Sequence, residues 1–138
     1  MHSITCIGKD NVMRRFVFDD PAEEILPDGS LQLGFCVKTR YEASTFFELR
    51  LCKKPDGQFQ IISVNHHNQA EYASMGIPDS LLPFLARLLG DRICSSRSYV
   101  GGTNEYRTVE ATKMWERLVQ KGLAEYYAEE DVYRITEP

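Results

Sequence analysis

A polar segment between a strand-like run and an apolar helical run holds the residues best suited to chemistry. His66 and Glu71 could move protons, and the segment passes through Gly76 into the helix. Glycine permits a positive φ, and the first N–H groups of a helix have no intrahelical acceptor. A strand, a glycine turn and a helix start in that order can bind a phosphate. We therefore expect any phosphate-bearing cofactor at this junction.

The elements that position this segment follow from the spacing of apolar residues. Period-two alternation and Pro-Asp-Gly turns predict strands over residues 13–18, 31–39, 45–53, 59–64, 92–96, 123–127 and 132–135. Leucines at helical spacing predict a helix that ends at Gly90, and a second helix is predicted over residues 105–121. The order predicts one domain over residues 1–138. Its expected fold is α+β or α/β, with a central, mostly antiparallel mixed sheet flanked by helices.

Composition and charge limit the classes of partner. The net charge is −4, which gives no general attraction to nucleic acid or to an anionic membrane. The longest apolar run is too short to span a bilayer, and the first residues do not resemble a signal peptide. The four cysteines lack the close spacing of zinc ligands, so no metal site is expected. We expect a cytoplasmic protein.

The order of elements and three local motifs carry a family resemblance. Residues 73–78 read Ala-Ser-Met-Gly-Ile-Pro, residues 92–96 read Arg-Ile-Cys-Ser-Ser, and residues 110–124 form a helix ending in Lys-Gly-Leu-Ala. Over residues 47–135 the chain resembles the acyl-CoA N-acyltransferase family of the Gcn5-related type. The three motifs lie where that family has its (Gln/Arg)-x-x-Gly-x-(Gly/Ala) loop, its fifth strand and its last helix.

The resemblance implies an N-acyltransferase with its cofactor and its acceptor. The cofactor would be acetyl-CoA or another acyl-CoA, and the acceptor a small-molecule or peptide amine. In the family, loop amides bind the pyrophosphate, and the fourth strand splays from the fifth to admit the pantetheine arm. The residues placed to contact the cofactor are Val64, Asn65, Met75, Gly76, Ile77 and Ser80. The acid or base candidates are Glu71, His66 and Tyr106.

Several residues depart from the family pattern. Pro78 has no N–H to offer a phosphate. Asp79 places a carboxylate where a phosphate would bind, and two like charges about 5 Å apart cost roughly 3 kcal/mol at an effective dielectric near 20. Trp115 stands where the family often has an acidic hydroxyl, and an indole N–H cannot protonate a thiolate.

These departures leave two alternatives open. One is a non-catalytic protein of the same fold that serves binding, assembly or inhibition, and a homo-oligomer stays open for the catalytic and the non-catalytic protein alike. The other is a winged-helix DNA-binding unit in the C-terminal half. The would-be wing carries five acidic residues and only Arg134 as a base, which would repel phosphates. The sequence does not identify the acceptor.

Overall fold

The computed structural model describes residues 1–97 and 107–136. Strands in this part of the chain are β1 (His2–Ile7), β2 (Met13–Phe18), β3 (Ala22–Ile25), β4 (Leu31–Val37), β5 (Phe47–Lys53), β6 (Phe59–Asn65), β7 (Ile93–Cys94), β8 (Ala124–Tyr127) and β9 (Val132–Ile135). The helices are α1 (Ile77–Leu89) and α2 (Val109–Gln120).

Seven of the strands form one mixed sheet in the order β3-β4-β5-β6-β7-β9-β8. Every neighbouring pair is antiparallel except β6 and β7, which run parallel. The remaining strands, β1 and β2, form a separate hairpin that touches the sheet through a bridge between Val17 and Lys38. The predicted α+β class and mostly antiparallel mixed sheet are therefore confirmed.

A single apolar core lies on one face of the sheet. Inward residues of β4, β5 and β6 share this core with the β1–β2 hairpin and with both helices. Trp115 of α2 stacks on Tyr133 of β9, with ring centroids 5.8 Å apart. The opposite face carries polar residues such as Gln32, Glu48 and Arg50, because side chains alternate along each strand. Both helices thus approach the sheet from the same side.

The sequence pattern predicted the end of α1 correctly but placed the start of α2 too early. Helix α1 buries Leu81, Leu82 and Leu85, and the N–H of Gly90 donates to Ala86 O at 3.1 Å, as expected for a glycine C-cap. Helix α2 begins later than predicted, because the Thr108 side chain accepts the N–H of Ala111 and caps it. Neither of these helices is long and apolar enough to cross a membrane.

Two strands were not predicted from the sequence. Strand β1 buries only Ile4 and Cys6, so its alternation is too short to stand out. All four residues of β3 are exposed, and this edge strand is held by its pairing with β4 rather than by burial. Four predicted strands, over residues 31–39, 45–53, 92–96 and 123–127, are shorter in the structure, and the strand predicted over residues 59–64 extends to Asn65.

Gly76 is required by the packing of β1 against the start of α1. Its φ is 74°, and a Cβ added there would lie 2.2 Å from the carbonyl oxygen of Ile7. The Ser80 hydroxyl donates to Thr5 O at 2.8 Å and fastens the same contact. The glycine therefore permits close approach of β1, whatever else its N–H contacts.

We predict that Gly76→Ala destabilises the fold much more than Gly57→Ala. Both glycines have positive φ, but nothing lies within 4 Å of a Cβ added at Gly57. The control should lose about 1 kcal/mol from backbone strain, whereas Gly76→Ala should lose more than about 3 kcal/mol from strain plus the clash. Urea unfolding measures both. Equal losses would show that contact with Ile7 does not determine the residue at position 76.

Candidate functional site

The parallel ladder between β6 and β7 is only two residues long. Phe59 pairs with Ile93 and Gln60 pairs with Cys94. Strand β6 then continues to Asn65, whereas β7 ends at Cys94. Residues 61–65 of β6 therefore have no strand partner on their β7 side among the described residues.

A β-bulge in β6 lies next to the point where the strands part. Leu51 of β5 pairs with Ile61, but the next residue, Arg50, pairs with Ser63, so Ile62 is inserted in the ladder. Bulges increase local twist and re-aim the backbone that follows. This bulge also changes which backbone groups face β7.

The pairing pattern identifies the β6 residue whose backbone faces the gap. The N–H of Phe59 donates to Arg92 O at 2.9 Å, so Phe59 faces β7. Antiparallel partners alternate between hydrogen-bonded and non-hydrogen-bonded pairs, so Ile61 also faces β7. Because of the bulge, the next β6 residue whose backbone N–H and C=O face β7 is Val64, which pairs with Leu49. The N–H and C=O of Val64 are thus directed toward the open side.

A groove of about 860 Å³ occupies the gap between β6, the start of α1 and one side of α2. Its apolar lining includes Phe47, Ile61, Met114 and Trp115, all of them at most 8% exposed. At the point where the strands part, the Ser96 hydroxyl donates to Ile61 O at 3.2 Å and accepts from Gln60 Nε2 at 2.8 Å. Ser96 thus closes the inner end of the groove.

The first turn of α1 reaches the groove with N–H donors that have no acceptor in the part of the chain that the structure describes. Gly76 and Asp79 line the groove, and among the described residues no side chain caps the helix. The N–H groups of Ile77 and Asp79 precede the first intrahelical bonds, and Pro78 between them has none. The helix dipole adds partial positive charge at the same end.

The Asp79 carboxylate is held by two cations, one from the last turn of α2 and one from the residue that follows the helix. Arg117 donates to both of its oxygens at 2.6–3.2 Å, and Lys121 Nζ lies 2.5 Å from Oδ2. Burial of Asp79 favours its neutral form, but the hydrogen bonds from Arg117 and Lys121 outweigh it and lower its pKa. Asp79 is therefore ionised and paired at neutral pH, and the group of three keeps one net positive charge.

Positive charge predominates among the described lining residues of the groove, although the protein is acidic overall. The basic side chains among them are Lys9, Arg107, Lys113, Arg117 and Lys121. The carboxylates among them are Asp79 and Glu110, and Arg107 is paired with Asp131 outside the groove. A local excess of cations in a cleft raises the concentration of anionic ligands there.

Four of the six residues that were expected to contact the cofactor line the groove, and Ile77 and Ser80 do not. Val64, Asn65, Met75 and Gly76 line the groove. Ile77 has a fully buried side chain, so only its N–H could reach a ligand. The sixth, Ser80, does not line the groove, and its hydroxyl donates to the β1 carbonyl of Thr5.

The three acid or base candidates have different surroundings. His66 lines the groove, and its Nδ1 accepts the N–H of Asn68 at 3.1 Å. The neutral ring therefore carries its proton on Nε2 and acts as a donor. Glu71 accepts a hydrogen bond from the Thr45 hydroxyl and lies outside the groove lining. Tyr106 lies outside the described residues.

Sequence reasoning missed the groups that α2 and β7 supply. Arg117 and Lys121 stand four residues apart, a spacing that places both on one helix face, but their partner Asp79 is far away in sequence. Glu110 and Ser96 also line the groove and were not singled out. Among the described residues no group of three His, Cys, Asp or Glu side chains could hold a metal ion.

We predict that Asp79→Asn destabilises the protein in a pH-dependent way. A carboxyl whose folded pKa is lowered stabilises the fold above its unfolded pKa of about 4, and this contribution is lost as the pH falls through the folded pKa. The half-exposed cations limit the effect, so the loss at pH 7 should be about 1–2 kcal/mol. Urea unfolding from pH 7 to pH 3 should show the difference from wild type shrinking.

The matched control is a double-mutant cycle with Arg117→Gln. The two changes should be strongly non-additive at pH 7, because either one breaks the same pair. Additive losses, or a pH-independent cost of Asp79→Asn, would contradict the assignment.

The groove is thus a half-open cleft with strand-edge backbone groups, a free helix start and excess positive charge. No protein-family model matches this chain, and no curated protein or solved structure is significantly similar to it. Its function must therefore be argued from the groove itself.

Proposed function

We propose that the protein transfers an acyl group from a CoA thioester to an amine and that the groove binds the cofactor. The observation that carries this proposal is the two-residue parallel ladder of β6 and β7, which opens beside the start of α1. The family resembled by residues 47–135 admits the pantetheine arm between strands at the corresponding position. The fold would accordingly be of the acyl-CoA N-acyltransferase type.

Backbone groups on β6 suit a pantetheine arm. That arm is an extended chain with two amides, and an extended chain binds an exposed strand edge through main-chain hydrogen bonds. Val64 directs its N–H and C=O toward the groove, and Asn65 follows at its rim. The apolar floor at Ile61 and Met114 suits the methylene groups between the amides.

The charge at the start of α1 supports pyrophosphate binding. The sequence raises two objections, which are the N–H that Pro78 lacks and repulsion between a phosphate and Asp79, and the structure bears on the second. Arg117 and Lys121 offset that charge and leave a net positive group. The N–H groups of Ile77 and Asp79 belong to the first turn of α1, which Asp79 joins to these cations, and Lys9 adds a further cation at the groove wall. The local field therefore favours phosphate.

The reaction needs two proton movements. The amine nitrogen attacks the thioester carbonyl carbon, the C–S bond breaks, and a base must take a proton from nitrogen. Glu110, which makes no ion pair within the described ranges, can accept it through water, and Glu71 can do so only from outside the groove. The Nε2–H of His66 can stabilise the leaving thiolate as a donor, and Tyr106 stays a candidate acid.

A second candidate function is binding without catalysis. It is favoured by the occupied Nδ1 of His66 and by the buried Trp115, which supplies no acidic hydroxyl to the groove. A protein of this kind would hold an acyl-CoA without turnover. The winged-helix alternative gains no support, because β9 pairs with both β7 and β8 and so belongs to the central sheet.

We predict that acetyl-CoA binds and raises the melting temperature, and that Val64→Pro weakens this binding about tenfold. Proline removes the N–H assigned to the pantetheine arm, at a strand edge that makes no ladder bond on that side. Val64→Ala is the matched control, because it keeps the N–H and should bind like wild type. Calorimetric titration measures all three affinities.

Turnover separates catalysis from binding alone. Release of free CoA thiol should accelerate with a panel of small-molecule and peptide amines if the protein is an enzyme. Tight acetyl-CoA binding with no thiol release for any amine would favour the non-catalytic alternative. No binding at millimolar acetyl-CoA would remove both cofactor-based proposals.

A further inference from the structure

Arg107 is the most heavily bonded side chain beside the groove. Its side chain is only 6% exposed, and it carries a charge into the wall between β7 and α2. Nε donates to Thr112 Oγ1 at 2.9 Å, and Nη2 donates to Asp131 Oδ1 at 3.1 Å. The guanidinium carbon lies 4.9 Å from the centre of the Tyr133 ring. These contacts join α2, the β8–β9 turn and β9.

The Nη1 group of Arg107 binds the carbonyl oxygen of Ser96, which would otherwise accept the next hydrogen bond of the parallel ladder. The carbonyl of Arg92, just before β7, accepts the N–H of Phe59, and alternate carbonyls of a strand point to the same neighbour. If β7 continued past Cys94, Ser96 O would therefore be in phase to accept a further N–H from β6. It accepts instead from Arg107 Nη1 at 3.0 Å and from the Ser95 hydroxyl at 2.8 Å.

The donor on β6 that would have paired with this carbonyl is that of Val64. The bulge at Ile62 makes Val64 the next residue whose N–H faces β7. The Ser96 hydroxyl meanwhile bonds Ile61 O, so the last contact between the strands passes through a side chain. The N–H of Val64 on β6 and the carbonyl of Ser96 after β7 therefore do not pair with each other.

Backbone contacts on the far side fix the end of β7 to β9. Ser95 N donates to Tyr133 O at 2.9 Å, and the Ser95 hydroxyl accepts the N–H of Tyr133 at 2.9 Å. Arg107 Nη1 also donates to Asp131 O at 3.2 Å. The backbone of Ser95, which follows β7 directly, is therefore anchored to β9.

We propose that Arg107 is a positioning residue that keeps the β6–β7 groove open. By binding Ser96 O it prevents the carbonyl from pairing with Val64, and it leaves the Val64 N–H free for a ligand. The identity of the ligand rests on the proposed function, whereas the effect of Arg107 on the strands does not.

The test compares Arg107→Met with Arg87→Met in the full-length chain. Methionine keeps an unbranched side chain but removes every donor, and Arg87 is an exposed arginine in the last turn of α1. Amide hydrogen exchange of Val64, without ligand, reports whether the strands have closed. We expect exchange at Val64 to slow about tenfold in Arg107→Met, because the Val64 N–H gains a hydrogen bond to Ser96 O. We expect acetyl-CoA affinity to fall about tenfold, because the same N–H is lost to the ligand.

The outcomes distinguish this inference from the proposed function. Unchanged Val64 exchange in a folded Arg107→Met protein would overturn the positioning role. Slowed exchange together with no acetyl-CoA binding by wild type would support the positioning role and refute the proposed cofactor. If Arg107→Met fails to fold, Arg107→Gln keeps a donor at the position of Nε, which bonds Thr112, but lacks the Nη1 that reaches Ser96 O. Unchanged Val64 exchange in that variant would also overturn the inference.

Discussion

The short parallel ladder between β6 and β7 is the constraint on which the groove depends. Two residue pairs hold the strands together, and then the bulge at Ile62 and the bonded carbonyl of Ser96 prevent further pairing. A sheet normally satisfies its strand edges by pairing them. Here an interior strand keeps an unpaired edge within the described part of the chain, and that edge faces a cleft lined by cations. Ligand binding would supply the missing partner.

The charge distribution follows from how two helices share one face of the sheet. Because α1 and α2 pack on the same side, the start of α1 comes within reach of Arg117 and Lys121 near the end of α2. Asp79 holds these cations in place, and their excess charge stays at the groove. A carboxylate that looks unfavourable for phosphate binding in the sequence thus organises a positive site in the fold.

Local signals in the sequence predicted most helices and strands. The features that the sequence did not predict depend on contacts between residues far apart in the chain. The helix up to Gly90 and the hairpin β8–β9 follow from spacing and turn residues, which act within a few positions. Gly76 was recognised as special, but its close contact with Ile7 depends on a strand 69 residues away. The bulge at Ile62 has no signature within an ordinary strand pattern, and the pairing of Asp79 with Arg117 arises only when the helices pack.

Backbone amide NMR of the wild-type protein during titration with CoA tests the central claim most directly. The account predicts that the largest shifts occur at Val64, at Ile77 and Asp79 in the first turn of α1, and at Ala111 on the groove side of α2. Residues of the opposite sheet face that lie two or three strands from β6, such as Gln32 of β4 and Glu24 of β3, should not respond. Shifts confined to that face, or no shift at saturating CoA, would contradict the assignment of the groove as the cofactor site.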